Sequence, residues 1–417
     1  MAEQVLNLAF VGLGQAVNRV LYQHPEVHEL PYRIVAAADP RAQAREAFER
    51  DFDGRAFADF EPILEMPEVD VVYIATPPEL HCEQTIKAAE AGKHVLVEKP
   101  MALSLDDALL MCRKAEDAGV KLLAGHTKCF DAPIIEMTRL ARSGRYGPMR
   151  AFTSMMYNSF NVMPWPTPEL ADTMGPVLNQ GPHQLDIARQ IGGGVVTSVT
   201  ATTFHDSLRD VTGGYQALLR FDSGASATLT YDARGLFDVA ELYGWIGEGG
   251  QARPQDLNAR MRQNIGGLLE QYGRDGMDDE LERQKEVGRY GAKDPGEALR
   301  NVWGYAKPDE PRDQPFFGMS ILSLDQAAVR QSREGLYLYT DEGRRSIDLQ
   351  DSLRARAAEL LELYRSIRDD RPVFHDGWWG AATLEACLAL AESAATGECV
   401  ELSHQVPTPT EIPTLSL

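Results

Sequence analysis

The chain's fold is restricted most by its first two dozen residues. The short apolar run Val5-Leu6-Asn7-Leu8-Ala9-Phe10-Val11 passes without a break into Gly12-Leu13-Gly14-Gln15-Ala16-Val17, and residues Asn18 to Gln23 continue with helical character. A run of this length and composition reads as a buried strand. The glycines then bend it into a helix: the first permits the tight turn, and the second lets a phosphate approach the backbone. The new helix end offers unpaired N–H groups and a positive dipole. Val17 stands where a third glycine is usual, a position that governs helix-to-strand packing more than phosphate contact. A second strand, Arg33 to Ala38, ends in Asp39, where a ribose diol would be gripped. The spacing from Gly14 to Asp39 is lengthened by the segment from His24 to Tyr32. These residues read as a dinucleotide site, with Gly12, Leu13, Gly14, Gln15 and Ala16 at the pyrophosphate and Asp39 at the ribose. A carboxylate there repels a 2′-phosphate and favours NAD; Arg41, two residues on, can accommodate that phosphate, so NADP is the alternative.

Strand and helix patterns alternate through the first third. Asp70 to Ala75 is a buried strand closed by Thr76-Pro77-Pro78, whose prolines stop the ladder. Glu79 to Ala91 reads as a helix ended by Gly92. His94-Val95-Leu96-Val97 is the next strand, and Ser104-Leu105-Asp106-Asp107 opens a helix that reaches Ala118. Val120 to Ala124 leads to Gly125-His126-Thr127. The alternation predicts a doubly wound parallel sheet, in which ligands lie at the carboxyl ends of the strands. Gly12, Asp39, Thr76, Lys99 and His126 all stand at such ends. Lys99, in Glu98-Lys99-Pro100, would be partly desolvated at a strand mouth, able to exchange protons near neutrality, and held on a stiff turn by its proline.

Beyond this the pattern changes. Met149 to Met156, Val195 to Phe204, Gly214 to Phe221 and Ala225 to Tyr231 read as strands joined by turns, which predicts a second, mainly antiparallel sheet. Between the first two lies Leu178-Asn179-Gln180-Gly181-Pro182-His183-Gln184-Leu185-Asp186-Ile187. A helix opening at His183 puts Asp186 one turn on, where it either orients His183 or makes a salt bridge. His183 is a natural proton partner near neutral pH. No metal is expected from His183 and Asp186, since no further ligand stands at a sensible spacing. Residues 249–315 read as an insertion containing the charged run Asp278 to Glu286, either a solvated face, an oligomer contact, or a lid in which Trp245 or Trp303 closes on a ring. Trp165 is a further aromatic candidate for the pocket wall, and Arg145, Arg150 and Arg234 are candidate partners for a substrate carboxylate.

With 417 residues the chain is long enough for two domains, and its net charge of −21 argues against nucleic acid and anionic membranes. The five cysteines (Cys82, Cys112, Cys129, Cys387, Cys399) form no CxxC pair and read as reduced thiols of a cytoplasmic protein. No apolar stretch is long enough to span a bilayer.

The glycine turn, Ala75-Thr76-Pro77 with His81, Gly92-Lys93-His94 before Glu98-Lys99-Pro100, and the Asn179-to-Asp186 segment together resemble the Gfo/Idh/MocA oxidoreductases. The resemblance implies a Rossmann domain over residues 1–127 and an α/β domain over 128–417. The open sheet of the second domain would carry a homodimer or homotetramer contact. It implies a catalytic Lys99, with Asn179 and His183 on the family's D-x-x-x-H pair; Asn179 departs from that pattern and cannot act as acid or base. It adds Thr76, Pro77, His81, Glu98 and Lys99 to the cofactor site. Lys99, His126, Trp165, Asn179 and His183 become the substrate site. Gly125-His126-Thr127, Asn179 to Gln184, Gly244 to Glu248, Phe316-Phe317-Gly318 and His375 to Gly380 are similar to the phthalate 4,5-cis-dihydrodiol dehydrogenase branch. That implies NAD(P)-dependent oxidation of a cyclic cis-diol to a catechol. A sugar or inositol dehydrogenase, and a non-catalytic cofactor- or sugar-binding regulator, are the alternatives.

Overall fold

A computed structural model describes residues 4–23, 25–163, 170, 174–292, 312–349 and 352–415. Its first layer is a six-stranded, wholly parallel sheet. The strands are β1 (Leu6–Val11), β2 (Tyr32–Ala38), β3 (Arg55–Phe57), β4 (Val71–Ile74), β5 (His94–Glu98) and β6 (Leu122–Gly125), in the order β3-β2-β1-β4-β5-β6. Helices α1 (Gln15–Gln23), α2 (Ala42–Phe52), α3 (His81–Glu90) and α4 (Leu105–Asp117) make the crossovers. A parallel sheet covered on both faces needs strands that are apolar throughout, and all four residues of β4 are buried. Helix α4 starts where Ser104 Oγ accepts the Asp107 amide, as its sequence predicts. The order reverses at β1, and the crevice beside its carboxyl end is where such sheets bind ligands.

The second layer is a nine-stranded sheet built from β7 (Met149–Tyr157), β8 (Val196–Asp206), β9 (Val211–Phe221), β10 (Ser226–Asp232), β11 (Met319–Leu324), β12 (Ala328–Gln331), β13 (Gly335–Thr340), β14 (Gly343–Asp348) and β15 (Val400–Glu401). It is antiparallel except for the β7–β10 pair. Along β9, Tyr215, Ala217, Leu219 and Phe221 are buried while Gln216 and Arg220 are exposed, so one face is core and the other polar. The core face receives α6 (Gly181–Gly192), following α5 (Ala132–Arg142), and α9 (Gly377–Thr396). Every residue of α6 from Gly181 to Ile191 is buried, because the helix is covered by the sheet on one side and by α9 on another.

Two long-range features shape the site. Helix α8 (Ala355–Arg368) returns to the first layer, where Leu360, Leu361, Leu363 and Tyr364 pack with Leu6, Leu8 and Tyr73. Helix α7 (Leu257–Val287) bends at Gly273, which has φ +67°. Its Met261, Ile265, Met277 and Leu281 form a small core with Val162 and Met163. Among the described residues no helix is long and apolar enough to cross a membrane.

Candidate active site

The turn after β1 is built for an anion. Gly12 has φ +86°, and a Cβ there would meet the Ala75 carbonyl oxygen at 2.7 Å, so only glycine lets β1 and β4 end side by side. Gly14 differs: a Cβ added to it meets nothing within 4 Å, and the space beside the head of α1 is open. The first turn of α1 carries no acidic residue. An open cradle before a helix N-terminus fits a pyrophosphate.

Asp39 closes the far side of this turn. Its carboxylate accepts the Leu13 amide at 2.8 Å and the Arg41 amide at 2.9 Å, and it pairs with the Arg41 guanidinium at 3.0 Å. Arg41 also donates to the Leu13 carbonyl at 2.6 Å. Asp39 and Arg41 are therefore locked together as a pair, with the aspartate tied to the glycine turn. Thr76 Oγ1 donates to Gln84, and Pro77 leads into α3. His81 lies behind them, buried; its two ring nitrogens meet the carbonyls of Thr76 and Pro100 at 2.8 and 2.9 Å. It joins the turns after β4 and β5 from within the protein.

The other end of the site gathers at the mouths of β5 and β6. Lys99 Nζ donates to the backbone oxygen of Asn179 at 2.9 Å and to its Oδ1 at 3.1 Å, and Gln180 Nε2 donates to the same Oδ1 at 2.8 Å. This brings Lys99 and Asn179 together across 80 residues of chain. His183, on the first turn of α6, is buried with its ring edge-on to Phe317, centroids 5.0 Å apart. Its Nδ1 is buried and without a hydrogen-bond partner. Burial first, and then the charges of Lys99 and Lys128, hold its pKa well below the usual histidine value. The imidazole is neutral at physiological pH.

Strand register sets His126 beside Lys99, since Glu98 pairs with Gly125 one residue before each. His126 Nδ1 lies 2.9 Å from Asp186 Oδ1. Asp186, fully buried, also accepts from Trp379 Nε1 at 2.6 Å, Thr383 Oγ1 at 2.5 Å and Cys129 Sγ at 2.8 Å. His375 stands 3.3 Å and the Arg189 guanidinium 3.7 Å away. Burial alone would raise its pKa, but His126, His375 and Arg189 hold the carboxyl well below its usual range. Asp186 is thus anchored away from His183 and positions His126 instead. Cys129, Asp186 and His375 have donor atoms close enough together to hold a metal. The carboxylate oxygens there already accept from an indole N–H, a hydroxyl and a thiol, beside a guanidinium.

Glu98 is buried beneath Lys99, where its carboxylate meets Tyr73 Oη and Arg356 Nη1, each at 2.7 Å. It serves as the base of the lysine turn. Arg356 comes from α8 and carries Glu359 with it; burial raises the Glu359 carboxyl to a pKa of about 8.

Two site residues have no separate signal in the sequence. Lys128 Nζ donates to the Glu248 carbonyl at 3.1 Å and lies 5.5 Å from the centre of the Phe317 ring that packs on His183. Phe317 belongs to a motif visible in the sequence, but its place beside His183 is not. Asp131, buried near Lys128 and Glu248, is raised to a pKa of about 7, chiefly by burial. Arg150 pairs with Asp325, Arg234 with Asp232, and Arg145 lies over Tyr146, so all three have partners elsewhere. Trp245, with φ +59°, sits in the loop before α7. Trp165 and Trp303 lie outside the described residues.

A parallel sheet with this glycine turn, an acidic residue after β2 and a lysine at the mouth of β5 defines a dinucleotide-dependent oxidoreductase. The NAD-binding Rossmann-fold pattern of the Gfo/Idh/MocA oxidoreductases matches residues 6–126, and the family's C-terminal domain pattern matches residues 134–243. A relative from Comamonas testosteroni, 1-carboxy-3-chloro-3,4-dihydroxycyclohexa-1,5-diene dehydrogenase, is 32% identical over 391 residues, covering 93% of this chain and 94% of its own. The NAD(+)-dependent scyllo-inositol 2-dehydrogenase of Bacillus subtilis is 30% identical, over 54% of this chain and 66% of its own. The crystal structure of a dehydrogenase from Bordetella bronchiseptica RB50 superposes with a TM-score of 0.80 at 30% identity, covering 95% of this chain and all of that one. The chain belongs to the Gfo/Idh/MocA oxidoreductase family and is an NAD-dependent dehydrogenase acting on CH–OH groups.

Proposed function

We propose that the chain oxidises a secondary alcohol on a cyclic substrate, and that this substrate is a cis-dihydrodiol bearing a carboxylate, converted to its catechol. The observation that carries the reading is that Lys128 and neutral His183 both pack on the Phe317 ring, with the Lys99 charge felt at His183, in a chain of net charge −21. Overall charge does nothing to attract an anion, so any such specificity is local, and Lys128, 3.7 Å from the Glu248 carboxylate, is the cation that would exchange that partner for the substrate's. The relative from Comamonas acts on a carboxylated dihydroxycyclohexadiene, by its name, which supports the same class.

When bound, NAD supplies the acceptor for the hydride leaving the carbinol carbon. Lys99, as the neutral amine, takes the hydroxyl proton at Nζ as the hydride leaves, and enolisation of the resulting ketone gives the catechol. Asn179 orients that amine through two oxygens and, being an amide, sets no fixed negative charge against proton transfer. His183 stays uncharged and hydrogen-bonds a substrate oxygen. Lys128 faces the carboxylate, and Phe317 packs on the ring. The polar outer face of the nine-stranded sheet is the place we assign to contact between subunits.

The test is a panel of cis-dihydrodiols with and without a ring carboxylate, inositols and aldoses, each with NAD+ and NADP+, read by nicotinamide absorbance. Turnover of the carboxylated diols with NAD+ is the expected result. Reaction of inositols or aldoses alone overturns the dihydrodiol assignment, and cofactor binding with no turnover of any substrate favours the regulator.

A further inference from the structure

The end of α7 and the residues after it lie against the head of α1 and the turn from β2 into α2. Four carbonyls of this segment accept from side chains around the glycine turn. Lys285 O takes Gln15 Nε2 at 3.4 Å, Gly288 O takes Asn18 Nδ2 at 2.9 Å, Tyr290 O takes Arg41 Nη1 at 3.5 Å, and Gly291 O takes Gln43 Nε2 at 2.6 Å. Tyr290 is fully buried in the core that holds Leu13 and Val17, and its hydroxyl donates to Asp51 at 2.9 Å. Gly291 has φ +83°, and a Cβ on it would press the Ala44 Cα at 2.8 Å, so the segment lies directly on the first turn of α2. These contacts span about 250–270 residues of sequence and touch α1, the turn after β2, and α2.

A cleft remains between this segment and the turn, lined by Arg41, Ala42, Gln43, Val287, Tyr290 and Gly291 among others. Val287 is 52% exposed there, an apolar side chain with its surface left open while Tyr290 beside it is sealed. Arg41 and Glu286 line the same cleft, Arg41 tied to Asp39, the residue we read as the ribose partner. A planar base with apolar faces matches Val287 and Arg41: guanidinium groups stack on flat π systems, and an aliphatic side chain covers the opposite face. We propose that residues 285–291 are a second wall of the adenosine seat. They grip the adenine ring between Val287 and Arg41 and slow the exchange of NAD. The site is assigned by position and chemistry, and it is independent of which alcohol the enzyme oxidises.

The experiment compares the full-length protein with its Val287→Glu and Val287→Leu variants, after equal melting temperatures show that each is folded. Binding and stopped-flow release of NADH and of reduced nicotinamide mononucleotide, which lacks the adenosine, are followed by nicotinamide fluorescence without substrate. Val287→Glu is expected to weaken NADH about tenfold or more and speed its release, to leave the mononucleotide unchanged, and Val287→Leu to behave as the parent. NADH is also expected to slow tryptic cleavage after Arg289, and the mononucleotide to leave it unaffected. Unaltered NADH binding in Val287→Glu, or an equal loss for both nucleotides, overturns the proposal. Because no substrate is present, that outcome is separate from a failure of the dihydrodiol assignment.

Discussion

Lys99 and Lys128 are held near His183 in different ways. The Lys99 side-chain nitrogen is fixed by two oxygens of Asn179 and Lys128 by the Glu248 carbonyl, and the Phe317 ring packs on both Lys128 and His183. If Lys99 carries the proton, Lys99→Met lowers kcat by about 10²–10⁴-fold while NADH still binds. Full hydride transfer in that variant would end the assignment. If Lys128 receives the carboxylate, Lys128→Met raises KM for a carboxylated diol about tenfold, the scale of one charge-assisted hydrogen bond, with a smaller change in kcat. Its KM for the uncharged diol should not move, and an equal rise for both substrates would mean a general packing defect. Lys99 is legible in the sequence because the strand before it and the proline after it are local features. Lys128 is not, since a lysine in a turn shows its worth only when Phe317, nearly two hundred residues later, folds against it. Asp186 is a middle case: its position one turn after His183 is readable, but the indole, hydroxyl and thiol that pull it to His126 come from distant segments.

Among the elements, the turn from β1 into α1 separates folding from binding within three residues. Gly12 has a left-handed φ and a backbone oxygen 2.7 Å from any Cβ. Alanine there costs about 1–2 kcal/mol for the backbone alone, before the clash with Ala75 is counted. Gly14 has free space around it and is not at positive φ. Gly14→Ala should therefore melt with the parent protein yet lose NADH affinity, because its methyl fills the open cradle. Gly12→Ala should lower the melting temperature as well. Calorimetry with NADH titration distinguishes them, and equal behaviour of the two variants contradicts this division. The same turn was readable because its grammar is short. The parallel strands were equally plain, their apolar runs and caps lying within a few residues of each other. Helix α7 was readable only as a charged stretch, and nothing local in it points to the cofactor groove.

At the scale of the whole molecule, α8 ties the two layers together through the site. Folding brings Arg356 and Glu359 to Glu98 and Thr127, beneath the turn that carries Lys99. Most of α8 is buried, Glu359 and Glu362 included, and nothing local in its sequence says which layer it meets, so this link is closed to sequence reading. It has a pH signature. Burial lifts the Glu359 carboxyl to a pKa of about 8 although Arg356 opposes the shift, and its Oε1 is buried without a partner. An unfolded glutamate titrates near 4.3. Between those two values the folded chain holds a proton that the unfolded chain has lost, so this group's contribution to stability is whole below about pH 4 and is lost as pH rises toward 8. Glu359→Gln keeps the shape of the protonated acid at every pH. Its melting temperature relative to the parent should climb by a few degrees from pH 5 to pH 9. Other shifted groups, such as His375 with its pKa near 3 and Asp131 near 7, are common to both proteins and cancel in the difference. A melting difference that stays flat or falls over this range would mean that Glu359 is ionised in the fold. Arg356 would then be neutralising two carboxylates, and the charge under Lys99 would be one unit more negative than a protonated Glu359 allows.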